Sequence, residues 1–178
     1  MSATNCLTAA PLNASQHPNA EGPSRHKAVI LAAGKDALDA NGRSIMLSPL
    51  GDRSVLECVL QNVLELVPPQ DITVVVGYRR EDVCSHLGAG YHYVVQETQS
   101  GTGHAVLQAV RDLRDFDGNL LILYGDTPLF RPASIRGLLN RHNLKKAHLT
   151  LLTAVLDRPL PYDPTSAKCH IGVAHWYP

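Results

Sequence analysis

The chain has 178 residues, with 16 lysines and arginines against 16 aspartates and glutamates, and 44% of its residues are hydrophobic. This length and composition predict one globular domain that is large enough to bury a core. A net charge of zero argues against general binding to nucleic acid or to anionic membranes, and no apolar run is long enough to cross a bilayer.

The first 25 residues are rich in alanine, asparagine, serine and proline and show no hydrophobic periodicity, which predicts a disordered leader. They lack the basic start and the continuous apolar stretch of a secretory signal, so we expect a cytoplasmic protein. The four cysteines form no Cys-x-x-Cys pair and the nine histidines form no zinc motif. We therefore expect reduced cysteines and no zinc site.

From His26 onward, short apolar runs alternate with helical patterns. Buried strands are predicted over 27–33, 72–76, 91–95 and 119–124, with a further strand near 148–155. Helices are predicted from Ser54 to Pro68, over 79–87, from 101 to 113 and near 133–142. The first of these helices opens with a capping box, in which the Ser54 hydroxyl and the Glu57 carboxylate can each bond a free amide.

This alternation of strands and helices predicts right-handed βαβ units and an α/β fold with a Rossmann-like, doubly wound, mostly parallel sheet. After Leu156 three prolines interrupt the pattern, and 168–178 shows neither strand alternation nor a helix face. We therefore divide the chain into the leader over 1–25, a C-terminally incomplete domain over 26–156, and an irregular tail over 157–178.

Ligands of doubly wound sheets bind beyond the carboxyl ends of the strands, which directs attention to the loops at those ends. The first loop, Leu31-Ala32-Ala33-Gly34, has small residues that let backbone amides approach a phosphate or a base. It matches neither the Walker A loop nor the dinucleotide-binding glycine pattern. A plain turn from strand to loop explains these residues equally well.

The second loop contains Gln96 and Gly101-Thr102-Gly103, between a strand end and a helix start. The glutamine amide could read a base edge and the helix start offers free amides, although an ordinary helix entry capped by Thr102 explains them equally well. His104, in the first turn of that helix, is more simply a structural residue than a proton donor.

The third loop, Tyr124-Gly125-Asp126, follows the most hydrophobic strand. A carboxylate in this position suits magnesium and its bound phosphates, whereas the alternative is an aspartate that caps a helix or closes a turn. Its place at the ligand-binding edge favours the metal.

Taken together and in chain order, these segments resemble the N-terminal uridyltransferase domain of the bacterial bifunctional N-acetylglucosamine-1-phosphate uridyltransferase family, also called UDP-N-acetylglucosamine pyrophosphorylase. The likeness covers roughly Ala28 to Leu156. The segments that carry it are Val29-Ile30-Leu31-Ala32-Ala33-Gly34, Pro49-Leu50-Gly51, Val74-Val75-Val76-Gly77-Tyr78, Gln96 with Gln99 and Gly101-Thr102-Gly103-His104-Ala105, and Leu123-Tyr124-Gly125-Asp126-Thr127-Pro128-Leu129.

The resemblance implies a MobA-like nucleotidyltransferase that converts UTP and N-acetylglucosamine 1-phosphate into UDP-N-acetylglucosamine, a cell wall precursor, and pyrophosphate with Mg²⁺. Those two substrates are the expected partners; no nucleic acid or membrane partner is expected, and the oligomeric state is not predicted. The resemblance assigns Asp126 to the metal. It assigns to the nucleotide Leu31, Ala32, Ala33, Gly34, Gln96, Gly101, Thr102, Tyr124 and Gly125.

The chain departs from the family where the triphosphate should bind. The family holds the phosphates with an arginine and a lysine, and at constant spacing these two positions are Leu38 and Ile45. Asp36 and Asp39 add negative charge, and Arg43 could compensate only if the loop is shifted. The resemblance therefore implies a weak or inactive enzyme in which no catalytic residue can be named.

The C-terminal part departs as well, since the family's sugar-binding loop should begin at Pro161-Tyr162-Asp163 and the match stops there. The hexapeptide repeats of an acetyltransferase domain are absent from this sequence. The alternatives are a non-catalytic uridine-nucleotide-binding or regulatory module, that is, a pseudoenzyme, and a defective fragment. A molybdopterin guanylyltransferase-like enzyme is a lesser alternative, because 101–105 and 123–129 fit the uridyl branch better.

Overall fold

The computed structural model describes residues 26–34, 42, 44–155 and 167–176. The strands in this part of the chain are β1 (His26–Ala32), β2 (Pro49–Leu50), β3 (Arg53–Ser54), β4 (Ile72–Val76), β5 (His92–Val95), β6 (Gly118–Tyr124), β7 (Leu149–Val155) and β8 (Ala167–Trp176). The α-helices are α1 (Val55–Leu64), α2 (Arg80–Leu87), α3 (Thr102–Gln108) and α4 (Pro132–Lys145). The predicted leader over 1–25 lies outside the described residues.

Six of these strands form one sheet in the order β5-β4-β1-β6-β8-β7. The pairs β5–β4, β4–β1 and β1–β6 are parallel, while β8 runs antiparallel to both of its neighbours. The α/β class and the Rossmann-like, mostly parallel sheet are therefore confirmed. The remaining two strands, β2 and β3, form a short hairpin that turns at Gly51, whose φ of 69° is in the left-handed region that favours glycine.

The expectation of an irregular tail beyond Leu156 is wrong for residues 167–176, because they form β8. This strand lies between β6 and β7, and its Ile171 and Val173 side chains are buried. The partners of β8 are β6 and β7, both antiparallel to it and both formed by other segments of the chain. The local pattern of 167–176 therefore gave no sign of this pairing. Residues 156–166 and 177–178 lie outside the described part of the chain.

Helices cover the two faces of the sheet unequally. On one face α1, α2 and α4 pack against inward-facing residues such as Ile30 and Leu121, and on the other α3 packs against Val29 and Leu120. Alternate residues of β1 therefore enter two different clusters, which explains why a strand buried on both faces reads as a continuous apolar run. None of the described helices combines the length and the apolar character needed to cross a bilayer.

The capping box predicted at the start of α1 is confirmed. The Glu57 amide donates to Ser54 Oγ over 3.2 Å, and the Ser54 amide donates to Glu57 Oε2 over 2.6 Å. His86 of α2 reaches both side chains, with Nε2 3.0 Å from Ser54 Oγ and 3.1 Å from Glu57 Oε2. Burial alone would raise the pKa of Glu57, but the hydrogen bonds from Ser54 and the contact with His86 outweigh burial and lower it. The cap of α1 is thereby tied to α2.

Candidate functional site

The carboxyl ends of β1, β4, β5 and β6 lie along one edge of the sheet. Ala32 is in register with Val76, Val76 with Val95, and Leu31 with Tyr124. Because neighbouring strands end at matching heights, the loops that follow them meet at this edge. The structure therefore brings the three loops singled out in the sequence into one region.

The loops after β1 and β6 touch through Gly125. Its amide donates to the Leu31 carbonyl over 2.9 Å, and the residue is buried. A Cβ on Gly125 would lie 2.9 Å from Met46 Sδ and 3.1 Å from the Leu31 oxygen, so any larger residue would force the loop apart. Close approach of these two backbones thus requires glycine, and Met46 is a site neighbour that the sequence did not point to.

Tyr124 and Thr102 connect this pair of loops to the start of α3. The Tyr124 hydroxyl approaches Thr102 Oγ1 at 3.4 Å, a long contact at the edge of hydrogen-bond range. Thr102 itself makes no side-chain cap on α3, so the predicted alternative of a Thr102 cap is wrong. Gly101 precedes the helix with a φ of 97°, a conformation that favours glycine.

Gln96 is the most buried polar side chain at this edge, with 3% of its surface exposed. Its backbone amide donates to the Val76 carbonyl over 2.8 Å. Its side-chain nitrogen lies 3.2 Å from the Gly101 carbonyl oxygen and 2.9 Å from His104 Nδ1. The turn from β5 into α3 is therefore organised around this glutamine, and His104 is in direct contact with a predicted site residue.

Asp126 is exposed at the end of β6 and makes no hydrogen bond or ion pair with the described residues. The turn beneath it is closed by Thr127, whose hydroxyl donates to the Tyr124 carbonyl over 3.0 Å. Within the part of the chain that the structure describes, no three histidine, cysteine, aspartate or glutamate side chains are placed to share a metal ion. Asp126 can therefore offer one hard oxygen ligand, and further ligands would have to come from bound phosphates and water.

Among the described residues, the two arginines that follow β4 are both engaged in contacts with neighbouring residues. Ile45, one of the two positions where the resemblance expects a cation, is apolar and 39% exposed, while Leu38 lies outside the described residues. Arg79 has a left-handed φ of 56° and donates to the Gly42 carbonyl over 2.9 Å and to Asp82. Arg80 is held by Glu81 and Glu97 at 3.0 and 3.1 Å, and both contacts raise the pKa of its guanidinium.

A polar cavity of about 420 Å³ lies at the opposite edge of the sheet, beside the first residues of β6. None of the predicted site residues lines this cavity. Its walls include Asp117, Asn119, His142, Asn143, Lys146 and His175. Burial, and secondarily the charges of His175 and His148, lower the pKa of His142.

A protein-family model described as the MobA-like NTP transferase domain matches residues 28–170. Among curated relatives, the bifunctional protein GlmU of a Picosynechococcus strain is 42% identical over 135 residues, or 75% of this chain and 30% of the relative. The GlmU of Enterococcus faecalis is 36% identical over 146 residues, or 82% of this chain and 31% of the relative. The chain thus spans about 30% of the length of these relatives.

Solved structures show the same fold at lower identity. A putative glucose-1-phosphate thymidylyltransferase from Bacillus anthracis, in complex with a sucrose, has a TM-score of 0.68 at 19% identity, covering 84% of this chain and 71% of that one. A Mycobacterium tuberculosis protein in complex with manganese has a TM-score of 0.57 at 20% identity, covering 71% and 62%. Since the family model covers most of the sequence, the chain belongs to the MobA-like NTP transferase domain family.

Proposed function

We propose that this chain binds a uridine nucleotide at the carboxyl edge of its sheet and transfers the uridylyl group to N-acetylglucosamine 1-phosphate. The observation that carries the proposal is the meeting of the loops after β1, β5 and β6 at that edge, around Gly125, Gln96 and Asp126. Similarity to bifunctional GlmU proteins over three quarters of the chain supports the uridine branch of the family.

In the proposed reaction, a phosphate oxygen of the sugar phosphate attacks the α-phosphorus of UTP in line, and pyrophosphate leaves. The protein mainly positions the reactants and stabilises charge. The backbone from Leu31 to Gly34 would face the phosphates, Gln96 with Gly101 and Thr102 would contact the base, and Tyr124 would line the pocket. Asp126 would hold Mg²⁺, which would neutralise the phosphate charge when bound; the manganese complex of a structural neighbour supports the use of a divalent cation.

The rate of this reaction should be low, because the expected cation positions are leucine and isoleucine. Charge-assisted contacts to a transferring phosphate lower the activation barrier by several kcal/mol, on the order of 2–4. Ile45 can supply none of this, and the two arginines that follow β4, Arg79 and Arg80, are already bonded to Asp82, Glu81 and Glu97. Weak turnover with retained nucleotide binding is the expected behaviour.

The same observation supports a second candidate, a uridine-nucleotide-binding module without catalysis. The base side of the site, formed by Gln96, Gly101 and His104, is hydrogen-bonded together, whereas the two positions where the family has phosphate-binding cations are leucine and isoleucine. Measured turnover separates the two candidates, since both require that uridine nucleotides bind. A defective fragment would bind none, and a molybdopterin guanylyltransferase-like enzyme would prefer guanine nucleotides.

The test is to measure UTP binding by calorimetry and pyrophosphate release from UTP and N-acetylglucosamine 1-phosphate, with and without Mg²⁺. The variant Asp126→Asn should reduce turnover by at least about 100-fold, as expected when a charge on a transferring phosphoryl group is lost. Asp52→Asn is the matched control, because Asp52 is 84% exposed in the β2–β3 turn and only loosely paired with Arg53.

Restoring the two cations with Leu38→Arg and Ile45→Lys should raise turnover if the rest of the site is competent. If the unmodified chain and the variants with restored cations all bind UTP but show no turnover, the function is that of a nucleotide-binding module. A folded chain that binds no uridine nucleotide would contradict both candidates.

A further inference from the structure

The polar cavity beside the first residues of β6 lies at the opposite end of that strand from Asp126. Its volume of about 420 Å³ is within the range of about 300–1,000 Å³ that is typical of small-molecule sites. Because no residue of the carboxyl edge lines this cavity, its ligand is a separate matter from the proposed function.

The wall of the cavity is held together by hydrogen bonds between three elements. Asn119 Nδ2 at the start of β6 donates to Asn143 Oδ1 near the end of α4 over 2.7 Å. His175 of β8 has Nδ1 3.3 Å from Asn119 Oδ1 and Nε2 3.4 Å from Asp117 Oδ1. These polar groups are therefore positioned before any ligand enters, which reduces the entropic cost of binding one.

One nitrogen in this wall has no hydrogen bond. His142 is 2% exposed, its Nδ1 lies 2.9 Å from Thr150 Oγ1, and its buried Nε2 has no hydrogen-bond partner among the described residues. A buried polar atom in this state is rare and costs stability. The Thr150 hydroxyl can donate or accept, so Nε2 can be either the acceptor or the donor of the ring. A ligand in the cavity that His142 lines can supply the missing partner.

The residues that line the cavity restrict the kind of ligand. Among the described lining residues, Ala147 has the only apolar side chain, so an aromatic or aliphatic ligand would find little surface to cover. The charges of Lys146 and Asp117 balance each other. The two most buried side chains, Asn119 and His142, are uncharged, because burial lowers the pKa of His142. A charged ligand would therefore meet no excess of opposite charge.

We propose that this cavity is a second ligand site, which takes an uncharged sugar. Sugar hydroxyls both donate and accept, so they match amides, an ammonium and a ring nitrogen that can act in either sense. Hydroxyl groups of the sugar bond to His142 Nε2, to the Asn143 amide and to the Lys146 ammonium. Lys146 makes no ion pair with the described residues, and its φ of 47° is in the left-handed region where glycine would be favoured.

The experiment is an NMR titration of the isotope-labelled full chain in phosphate-free buffer. The probes are glucose and N-acetylglucosamine, and inorganic phosphate is the anionic comparison. The sugars should shift the backbone amide signals of 117–119 and 142–147 in a saturable way at millimolar concentration. Changes at 96–104 or 124–126 would report binding at the carboxyl edge and are fitted separately.

Two variants test which groups hold the sugar. His142→Asn keeps an amide near Nδ1 for Thr150 but has no atom at the position of Nε2. Lys146→Gly removes the ammonium and relieves the left-handed backbone, so it should melt no lower than the unmodified protein. Each should weaken sugar binding at least about fivefold, the loss expected for one hydrogen bond. Lys145→Ala is the matched control, because Lys145 is exposed, carries the same charge and does not line the cavity.

Saturable sugar binding that is weakened in Lys146→Gly and unchanged in Lys145→Ala would support the proposal. If the sugars leave 117–119 and 142–147 unchanged, or if phosphate alone shifts them in a saturable way, the cavity is no sugar site and the proposal is overturned. A folded Lys146→Gly protein that binds sugar as tightly as the unmodified chain overturns it equally. Thermal melts verify folding, and Lys146→Gly decides alone if His142→Asn does not fold.

Discussion

Gly77, the residue after β4, carries a sharp prediction about how this sheet edge is packed. A Cβ added at Gly77 would lie 2.8 Å from Gln99 Nε2, 2.9 Å from the Ala33 carbonyl oxygen and 3.0 Å from Ala33 Cβ. The glutamine can move, but Ala33 cannot, because it follows β1 and the register pairs Ala32 with Val76. The substitution Gly77→Ala must therefore push two hydrogen-bonded strands apart at the site.

The expected cost of Gly77→Ala is about 2 kcal/mol in the free energy of unfolding, within the range of about 1–3 kcal/mol found for overpacked sites. For a chain of this size that corresponds to a fall of about 4–8 °C in the melting temperature. Because Ala33 belongs to the loop proposed to face the phosphates, UTP affinity should fall with it. Urea unfolding followed by circular dichroism gives the stability, and calorimetry gives the affinity.

Two further glycines serve as controls for the general effect of a glycine-to-alanine substitution on stability. A Cβ at Gly90 or Gly137 would meet nothing within 4 Å, and neither residue has a positive φ. Gly137 lies inside α4, so Gly137→Ala should stabilise the fold by about 0.5–1 kcal/mol, and Gly90→Ala should be close to neutral. A Gly77→Ala protein as stable as Gly90→Ala would refute the packing described here.

Three other predictions concern stability. Ser54→Ala removes the cap of α1 and should cost about 1 kcal/mol in urea unfolding; an unchanged midpoint would contradict the capping role. The pKa of His142 lies below its ordinary value through burial, so its contribution to stability is present above about pH 6.5 and is lost as pH falls. The stability of the unmodified protein relative to His142→Leu should therefore decrease between about pH 7.5 and about pH 5, and a constant difference would exclude the effect. Trp176→Phe leaves the Leu113 carbonyl, which now accepts from the indole Nε1 over 2.9 Å, without that donor, at a cost of about 1 kcal/mol in the same urea assay; a variant as stable as the unmodified protein would mean that the bond contributes nothing.

The parallel half of the sheet could be predicted because its strands are short, apolar and separated by helical patterns. The segment 72–76 matches β4, and the capping box placed the start of α1 at the correct residue. The helix predicted to continue from 101 to 113 instead becomes a 3₁₀ helix after Gln108. Helix ends depend on packing against the rest of the molecule, which periodicity alone does not contain.

Strand β8 could not be predicted in the same way. Its partners are set by long-range pairing, and Gly172 sits between Ile171 and Val173 where a Cβ would already be at van der Waals distance from Leu151 Cδ2, 3.4 Å. A glycine of this kind weakens the local strand signal, although it suits the close packing of β8 against its neighbour.

In the candidate site, too, the strand ends could be predicted from the sequence and the side-chain contacts could not. The strand ends that carry Leu31, Gln96 and Asp126 could be located from the sequence, because parallel strands share one carboxyl edge. The contact of His104 with Gln96 depends on the turn from 96 to 104 and is visible only in three dimensions. The sequence favoured a structural role for His104, and its contact with the buried Gln96 side chain fits that role.

The place of β8 also determines when the sheet can be completed as the chain is made. The four parallel strands can pair once residue 124 is available, but β7 is two positions away from β6 and, in the described sheet, has β8 as its strand neighbour. Until 167–176 emerges, the hydrogen-bonding groups along the outer side of β6 are unpaired and β7 has no strand to join. An unpaired edge is a template for pairing with other chains, so aggregation and proteolysis during synthesis should be governed by these last ten residues of the sheet.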